Sequence, residues 1–129
     1  MKIFILEDSP IRVVNFMQDF LQEDLTISNN AEEAIKNLTT TKYDYIFLDH
    51  DLGGDTMVCS SEKNTGANVA KYVYVSNIDT PVVIHSWNPT GCENMKSILE
   101  SKEHKGQIII APFDDDEFVN VIDQLCKKN

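Results

Sequence analysis

The segment FLDHDLGG, residues 47–54, places a histidine between two carboxylates directly after an apolar run. Asp49 and Asp51 offer the oxygen ligands that hard divalent cations prefer. His50 is a side chain that exchanges protons near neutral pH, so it could act as an acid or a base. Taken alone, the segment is compatible with a phosphorylation site, a metal site or a hydrolytic site.

Polar residues also follow two other apolar runs. The pair Glu7-Asp8 ends the first run, in FILEDSP. The run TPVVIH ends in His85, and three further polar or aromatic residues follow it: Ser86, Trp87 and Asn88. In an open parallel sheet, ligands bind outside the carboxyl ends of the strands, where the strand order reverses. We therefore expect these three strand ends to be neighbours that form one site.

The elements that must position these residues alternate between apolar runs and helix-period segments. The alternation predicts an α/β fold with a parallel sheet of five strands: Lys2–Leu6, Leu25–Ser28, Tyr43–Asp49, Thr80–His85 and Gln107–Ala111. Continuous apolar runs such as IFIL indicate strands that are covered on both faces, in a three-layer α/β/α arrangement. With no linker or repeat, residues 1–129 are expected to form a single domain.

Helices are predicted between the strands. Ser9 can cap the first helix with Pro10 in its first turn, and its apolar residues recur at helical spacing: Val13, Val14, Phe16, Met17, Phe20 and Leu21. Asn29 or Asn30 caps the second helix, which runs to about Thr39, and the others are predicted at Gly66–Ser76, Cys92–Ser101 and Asp114–Lys127. Acidic residues in 113–118 suit the N-terminal end of the last helix. Residues 53–65 form a long irregular stretch, which in a compact domain is usually functional or mobile.

Composition limits the partners. The net charge is −10 and Arg12 is the only arginine, so a long nucleic-acid duplex would be repelled, whereas small ligands, metals and nucleic-acid ends remain compatible. The N-terminal apolar run is too short for a signal peptide or a membrane span, and a cytosolic location is expected. The three cysteines, Cys59, Cys92 and Cys126, are odd in number and widely spaced. We interpret them as reduced thiols, two of them buried.

The strand-end residues make the chain resemble the receiver domain of two-component response regulators over nearly its whole length. The resemblance implies a flavodoxin-like sheet of strand order 2-1-3-4-5. It also implies that Glu7, Asp8 and Asp49 bind a divalent metal, that Asp49 accepts phosphate and that Ser86 supplies the hydroxyl of the fourth strand. The match fails in the segment APF, where Ala111 stands in place of the family's lysine. Ordinary phospho-switching is therefore not expected, because the ammonium that would compensate an aspartyl phosphate is missing.

The motifs LDHDL and HSWNP resemble a variant, the cyclic-phosphate-processing receiver domain. That resemblance implies an enzyme that opens a cyclic phosphate on a nucleotide or at an RNA end. His50 and His85 would then serve as acid and base on one phosphate, with Asp51 and Ser86 completing the catalytic group.

Substrate binding and charge compensation involve further residues. Arg12 could reach a phosphate, Trp87 could stack on a base, and Asn88 could donate a hydrogen bond. Because the site holds four carboxylates and little positive charge, a divalent cation is the expected cofactor. Oxygen ligands favour Mg²⁺ or Mn²⁺, and imidazole extends the choice to Zn²⁺.

Three functions remain open at this point: a metal-assisted phosphoesterase, a non-catalytic receiver that acts as an interaction module, and a protein that sequesters a nucleotide without cleaving it. Structural readings of the same residues also remain. His85 could be a satisfied core histidine, and His50 could point away from the site, because adjacent residues after a strand face opposite ways.

Overall fold

The computed structural model describes residues 1–54, 56–101 and 106–127. Strands and helices alternate along the chain in this order: β1 Lys2–Leu6, α1 Pro10–Asp19, β2 Asp24–Ser28, α2 Ala31–Thr40, β3 Tyr45–Leu48, α3 Gly66–Val75, β4 Val82–Ile84, α4 Pro89–Glu100, β5 Ile108–Ile110 and α5 Asp116–Lys127. All five strands are parallel and form one sheet of order β2-β1-β3-β4-β5. The predicted α/β class and the 2-1-3-4-5 order are confirmed.

The sheet lies between two apolar layers, because alternate residues of each strand face opposite sides. On one side, Leu6, Leu48 and Ile84 pack in the cluster that contains the buried faces of α2, α3 and α4. On the other side, Phe47 and Val83 pack in the cluster that contains the buried residues of α1 and α5. This accounts for the continuous apolar strands, and it means that the residues after each strand also divide between the two sides.

The fourth helix begins earlier than predicted. It starts at Pro89 rather than at Cys92, and Asn88 is its N-cap, with Oδ1 accepting a hydrogen bond from the Gly91 backbone N–H at 3.0 Å. The Asn-Pro pair, which precedes the predicted start of the helix, is a cap followed by proline at the first helical position.

Burial in α1 and of the cysteines also differs from expectation. Phe16 and Phe20, one helical turn apart, face the sheet, whereas Val14, Met17 and Leu21 are exposed. A helix that is apolar on most sides does not show which side it buries. Of the three thiols, Cys92 is buried, but Cys59 and Cys126 are exposed, so the prediction of two buried cysteines was wrong.

The described part of the 53–65 loop contains turns and bends, as predicted, and position 55 lies outside the described residues. Gly53 and Gly54 adopt φ of 78° and 81°, where an L side chain is strained. The two ends of the loop are joined by an antiparallel β-bridge between Asp51 and Thr65. Thr65 is also the N-cap of α3. Within residues 1–54, 56–101 and 106–127, every helix is too short or too polar to cross a bilayer.

Candidate metal and phosphate site

Strand register brings three ionisable residues into one row at the edge of the sheet. Leu6 is paired with Leu48, and Leu48 is paired with Ile84. The residues that follow these three are Glu7, Asp49 and His85. They lie side by side on the face of the sheet that packs against α1 and α5. Backbone hydrogen bonds continue through this row, since the Asp49 N–H donates to the Leu6 carbonyl at 3.1 Å and the His85 N–H to the Leu48 carbonyl at 3.0 Å. The sheet itself thus positions the three side chains.

Glu7 is buried and fully engaged, with 1% of its surface exposed. Its Oε1 accepts a hydrogen bond from His85 Nε2 at 3.0 Å and lies 3.6 Å from the Arg12 guanidinium. Its Oε2 accepts from the backbone N–H groups of Asp8 and Ser9, each at 3.1 Å. Burial alone would raise the pKa of Glu7, but the His85 hydrogen bond and these other contacts outweigh it and lower the pKa to about 2. Glu7 is therefore a carboxylate at neutral pH.

Asp49 has much less compensation. It is 4% exposed, and its Oδ1 accepts a hydrogen bond from the His50 backbone N–H at 2.8 Å. Burial raises the pKa of Asp49 to about 7, and the nearby charge of Glu7 adds to the increase. Asp49 therefore stands between the protonated and ionised forms at neutral pH, and a cation placed beside it would favour the ionised form.

His85 lies beneath this pair in an aromatic environment and has no exposed surface. Its ring meets Phe16 edge-on at a centroid distance of 5.2 Å and lies 6.4 Å from both Phe47 and Phe118. Since the Glu7 carboxylate can only accept, Nε2 carries the proton of that hydrogen bond. Nδ1 has no hydrogen-bond partner among the described residues.

The row has the composition of a divalent metal site. Glu7, Asp49 and His85 each offer a ligand atom, and these atoms lie within 4.8 Å of one another. Two carboxylates and an imidazole suit Mn²⁺ or Zn²⁺ better than an all-oxygen set would, and oxygen ligands suit Mg²⁺. The unpartnered ring nitrogen of His85 and the weakly compensated charge of Asp49 fit a bound cation. Of the predicted metal ligands, Glu7 and Asp49 are in this group, Asp8 is not, and His85 joins it.

Arg12 supplies positive charge from α1. Its guanidinium, beside Glu7, also lies over two aromatic rings, 5.4 Å from the centroid of Trp87 and 5.0 Å from that of Phe113. The Trp87 indole N–H donates to the Phe113 carbonyl at 2.8 Å, which fixes the two rings relative to each other. Cation–π contact holds the Arg12 side chain at the acidic row. The sequence predicted that Arg12 could reach a phosphate, but not the two aromatic contacts that hold its side chain.

Glu7, Asp49 and Arg12 line an open cavity of about 430 Å³. Asp8 is half-buried at its wall, where Oδ2 accepts a hydrogen bond from the Gly54 N–H at 2.7 Å, and burial raises the pKa of Asp8. Ser86 lies on the same cavity, with its Oγ accepting from the Asn88 N–H at 3.1 Å. Trp87 also lines the cavity and is 60% exposed. The cavity therefore combines carboxylates, one guanidinium, one hydroxyl and one aromatic surface.

The structure does not bring His50 and His85 to one phosphate. His50 lies two residues after Leu48, on the side of the sheet that α4 covers. His85 lies two residues after Val83, on the opposite side, which α1 and α5 cover. Both rings are fully buried. The prediction of a shared acid–base pair assumed that adjacent strand ends present both rings to one side, and this geometry contradicts it.

His50 instead connects two segments of the chain. Its Nδ1 lies 2.8 Å from Asp51 Oδ1 and its Nε2 lies 2.9 Å from Ser60 Oγ. The ring also packs on α4 at Gly91, where a Cβ atom would come within 2.5 Å of the His50 Cγ. Neither Ser60 nor Gly91 was identified from the sequence. For Gly91, the sequence offered one signal: a glycine in the first turn of a helix that follows a strand ending near a histidine.

Asp51 organises the loop that follows it. Its carboxylate accepts hydrogen bonds from the Met57 N–H at 2.7 Å, the Val58 N–H at 3.1 Å and Asn88 Nδ2 at 3.0 Å. These bonds and that with His50 lower the pKa of Asp51 despite its partial burial. Asn88 is 5% exposed and occupied with this carboxylate and the α4 cap. The predicted contact between Asn88 and a substrate is therefore not supported by its position.

Several solved structures that are similar to this chain are receiver domains. The receiver domain of the Francisella response regulator 1452 is 25% identical, with 98% of this chain and 97% of that chain covered and a TM-score of 0.66. The response regulator TrrA from Thermotoga maritima, in complex with Mg²⁺ and BeF, is 17% identical over 96% of this chain and 97% of that chain, with a TM-score of 0.67. A CheY-like receiver domain from Methanospirillum hungatei JF-1 gives a TM-score of 0.70 at 12% identity, covering 98% of this chain and 91% of that chain.

Comparison by sequence matches one protein family. No curated protein matches the chain. The profile of the cyclic-phosphate processing receiver domain, however, matches residues 1–101. This range contains Glu7, Asp49 and His85 and the loop between β3 and α3. The chain therefore belongs to the cyclic-phosphate processing receiver domain family.

Proposed function

We propose that this chain is a metal-assisted phosphoesterase that opens a cyclic phosphate on a nucleotide or at an RNA end. The observation that carries the proposal is the buried row of Glu7, Asp49 and His85 beside Arg12. Glu7, Asp49 and Arg12 reach the wall of an open cavity. An ordinary aspartyl-phosphate site needs neither the imidazole nor an arginine fixed between two aromatic rings. Family membership supports the same substrate class.

In this proposal, Glu7, Asp49 and His85 hold a divalent cation, with Mn²⁺ or Mg²⁺ first and Zn²⁺ also compatible. When bound, the cation polarises the phosphoryl group and lowers the pKa of a water molecule. His85 joins the group from the buried side of the row, beside Glu7.

Arg12 binds a phosphoryl oxygen, because it is the guanidinium on the cavity wall. The Ser86 hydroxyl hydrogen is free to donate to a second oxygen, since the Asn88 N–H engages only the lone pair of Oγ. Trp87 offers an exposed ring edge and face to a base. We assign the proton transfer to the leaving oxygen to Asp8, which lines the same cavity and whose pKa is raised by burial.

Cyclic nucleotides provide the direct test. The protein is incubated with 2′,3′-cyclic and 3′,5′-cyclic nucleotides in the presence of Mg²⁺, Mn²⁺ or Zn²⁺, and linear products are separated by chromatography. Turnover is expected with at least one metal, and Glu7→Gln and Asp49→Asn should each lower it by about 100-fold or more. Glu32→Gln, an exposed carboxylate on α2, should match the wild type.

Absence of turnover with all three metals contradicts the proposal, as does equal turnover in Asp49→Asn. A second function, sequestration of the nucleotide without cleavage, is favoured by one observation: both predicted acid–base histidines are fully buried. Calorimetric binding with the ligand recovered intact would support it. A third, the non-catalytic receiver module, would be supported by tight binding of a protein partner without nucleotide binding.

A further inference from the structure

We propose that Ser60, His50 and Asp51 form a hydrolytic triad in which Ser60 Oγ attacks small, uncharged carboxylic esters. The two connecting distances are 2.9 Å between Ser60 Oγ and His50 Nε2 and 2.8 Å between His50 Nδ1 and Asp51 Oδ1. A hydroxyl on one ring nitrogen and a carboxylate on the other is the arrangement that activates a serine nucleophile. This centre does not depend on the function proposed for the acidic row.

The hydrogen bonds of His50 favour the tautomer that a serine-activating base needs. The Asp51 carboxylate can only accept, so His50 Nδ1 carries the proton of that hydrogen bond. In neutral His50, Nε2 therefore has a free lone pair, and the Ser60 hydroxyl donates to it. The same tautomer is needed for Nε2 to remove the proton from Ser60 as the oxygen attacks.

The base is held rigidly. His50 has no exposed surface and packs so closely on Gly91 that even a methyl group there would overlap with the ring. Asp51 is fixed by backbone N–H groups of Met57 and Val58 in addition to His50. Asn88 donates to the same carboxylate from the start of α4. A histidine oriented by a fixed carboxylate is what distinguishes an activated serine from an ordinary surface hydroxyl.

The nucleophile is accessible although the base is buried. Ser60 is partly exposed, and two residues of the same loop segment, Cys59 and Glu62, line a cavity of about 670 Å³. Among the described residues, the Ser60 backbone N–H donates to no acceptor, so it is available to the oxyanion that forms on the attacked carbonyl. In the proposal, the acyl group of a small ester occupies this neighbouring cavity.

Local charge selects the class of substrate. The centre carries the Asp51 carboxylate, Glu62 lies on the neighbouring cavity, and the whole chain has a net charge of −10. Among the residues that the structure describes, no lysine or arginine forms an ion pair or a hydrogen bond with Ser60, His50 or Asp51. An anionic phosphate ester would be repelled here, whereas an uncharged carboxylic ester would not be.

The reaction balances without a further reagent. Ser60 Oγ bonds to the ester carbonyl carbon, its proton passes to His50 Nε2, and the carbon–oxygen bond to the alcohol breaks as that proton is given to the leaving alcohol. Water then attacks the acyl-serine, gives a proton to His50, and releases the acid while the proton returns to Ser60.

A fluorophosphonate probe tests the centre directly. Its phosphorus is attacked by an activated serine hydroxyl, with fluoride as the leaving group and the serine proton passing to His50. The full chain is treated with the probe in EDTA, and adducts are located by intact-mass and peptide mass spectrometry. We expect one adduct at Ser60, none in Ser60→Ala, and labelling that is slower by about 100-fold or more in His50→Gln.

Ser61→Ala is the matched control, because it removes the adjacent hydroxyl of the same turn and should be labelled like the wild type. Circular dichroism checks that His50→Gln is folded. Labelling of Ser61 at the same rate as Ser60, an absence of any adduct, or an unchanged rate in folded His50→Gln would each overturn the triad. If His50→Gln is unfolded, Asp51→Asn is measured instead, with the same slowing expected.

Turnover gives a second readout. With EDTA present, p-nitrophenyl acetate should be hydrolysed with a burst of one equivalent, and p-nitrophenyl phosphate should not be hydrolysed. Loss of the burst in Ser60→Ala supports the triad, whereas an equal burst in that variant overturns it. Because EDTA removes divalent cations, failure of this experiment leaves the cyclic-nucleotide test unaffected, and the reverse also holds.

Discussion

At the scale of single residues, the row at the sheet edge extends beyond the three candidate ligands. Ile84 is paired with Ile110, so the residue next to His85 in the row is Ala111, which is buried in the apolar layer beneath α1 and α5. A receiver domain carries a lysine at that position. Here Arg12 and His85 provide the positive or hydrogen-bonding partners of Glu7 from other elements.

Arg12→Gln is expected to weaken binding of a phosphate-bearing ligand by about 10- to 100-fold, because a charge-assisted hydrogen bond to an anion contributes roughly 1.5–3 kcal/mol. Calorimetry with a 2′,3′-cyclic nucleotide measures the change.

Arg12→Lys should recover only part of the affinity, since an ammonium lacks the planar fork and stacks poorly between Trp87 and Phe113. Lys71→Gln, an exposed change on α3, is the control. Equal affinity in Arg12→Gln and the wild type would show that Arg12 serves only to stabilise Glu7.

Asp49 should make the metal-free protein less stable as pH rises from 4 to 7. Its pKa rises from an ordinary 3.8 to about 7 on folding. Below pH 4, both folded and unfolded chains hold the proton, so the charge of Asp49 costs nothing. Between pH 4 and pH 7 only the folded chain retains the proton on Asp49. The free energy of unfolding therefore falls until the pH exceeds 7. The linkage relation puts the loss at roughly 2–4 kcal/mol.

Chemical denaturation in EDTA at pH 5 and pH 8 checks this. The wild type should lose stability between the two pH values relative to Asp49→Asn, and the variant should be the more stable at pH 8. Glu7 does not contribute in this range, because its lowered pKa adds stability that is complete above its ordinary value of 4.5 and is lost only as pH falls toward 2. The idea fails if both proteins show the same change with pH.

At the scale of elements, α4 and the β3–α3 loop are held together through His50. The ring lies between Ser60 of the loop and Gly91 of α4, and Asn88 joins the cap of α4 to Asp51. Packing of the histidine thus requires a residue without a side chain one turn into the helix.

Gly91→Ala should therefore destabilise the protein, although alanine is usually better than glycine in a helix by about 1 kcal/mol. The new Cβ would lie 2.5 Å from the His50 Cγ, and that buried ring cannot move without losing its two hydrogen bonds. We expect a loss of about 1–3 kcal/mol in the free energy of unfolding, measured by denaturant titration. Thr90→Ala, an exposed neighbour in the same turn, should have little effect.

Sequence patterns predicted the existence and type of every described helix and strand. They predicted less well which side of an element faces the core. They did not show which side of α1 is buried, because Val14 and Phe16 are both apolar while only one faces the sheet. Strand ends were identified correctly as polar, yet the pairing of His50 with His85 ignored the alternation of side chains. Register and alternation together would have predicted the row of Glu7, Asp49 and His85 instead.

At the scale of the whole molecule, the fold could be predicted because the order of apolar runs and helical segments limits a parallel sheet to few topologies. Two contacts at the site could not be predicted. Ser60 reaches His50 through an irregular loop whose path depends on the Asp51 hydrogen bonds. Arg12 reaches Glu7 because two aromatic rings from different parts of the chain support its side chain.

The same arrangement predicts how a phosphate analogue at Asp49 would affect distant elements. The end of β5 presents the methyl group of Ala111, which has no means of contacting a phosphoryl oxygen. Ser86 could contact one, and its Oγ is hydrogen-bonded to the Asn88 N–H, the N-cap of α4. A perturbation should therefore reach the first turn of α4 and leave β5 unchanged.

Assigned amide resonances measured with Mg²⁺ and beryllofluoride test this. We expect shifts at Asp49, Ser86 and Asn88 and none above noise across Ile108–Ile110. Comparable shifts along β5 would mean that the apolar row transmits the change by repacking, since the side chain of Ala111 offers no polar contact through which it could travel. Asp49→Asn, which removes the charge that the analogue contacts, should abolish the shifts at Ser86 and Asn88 together.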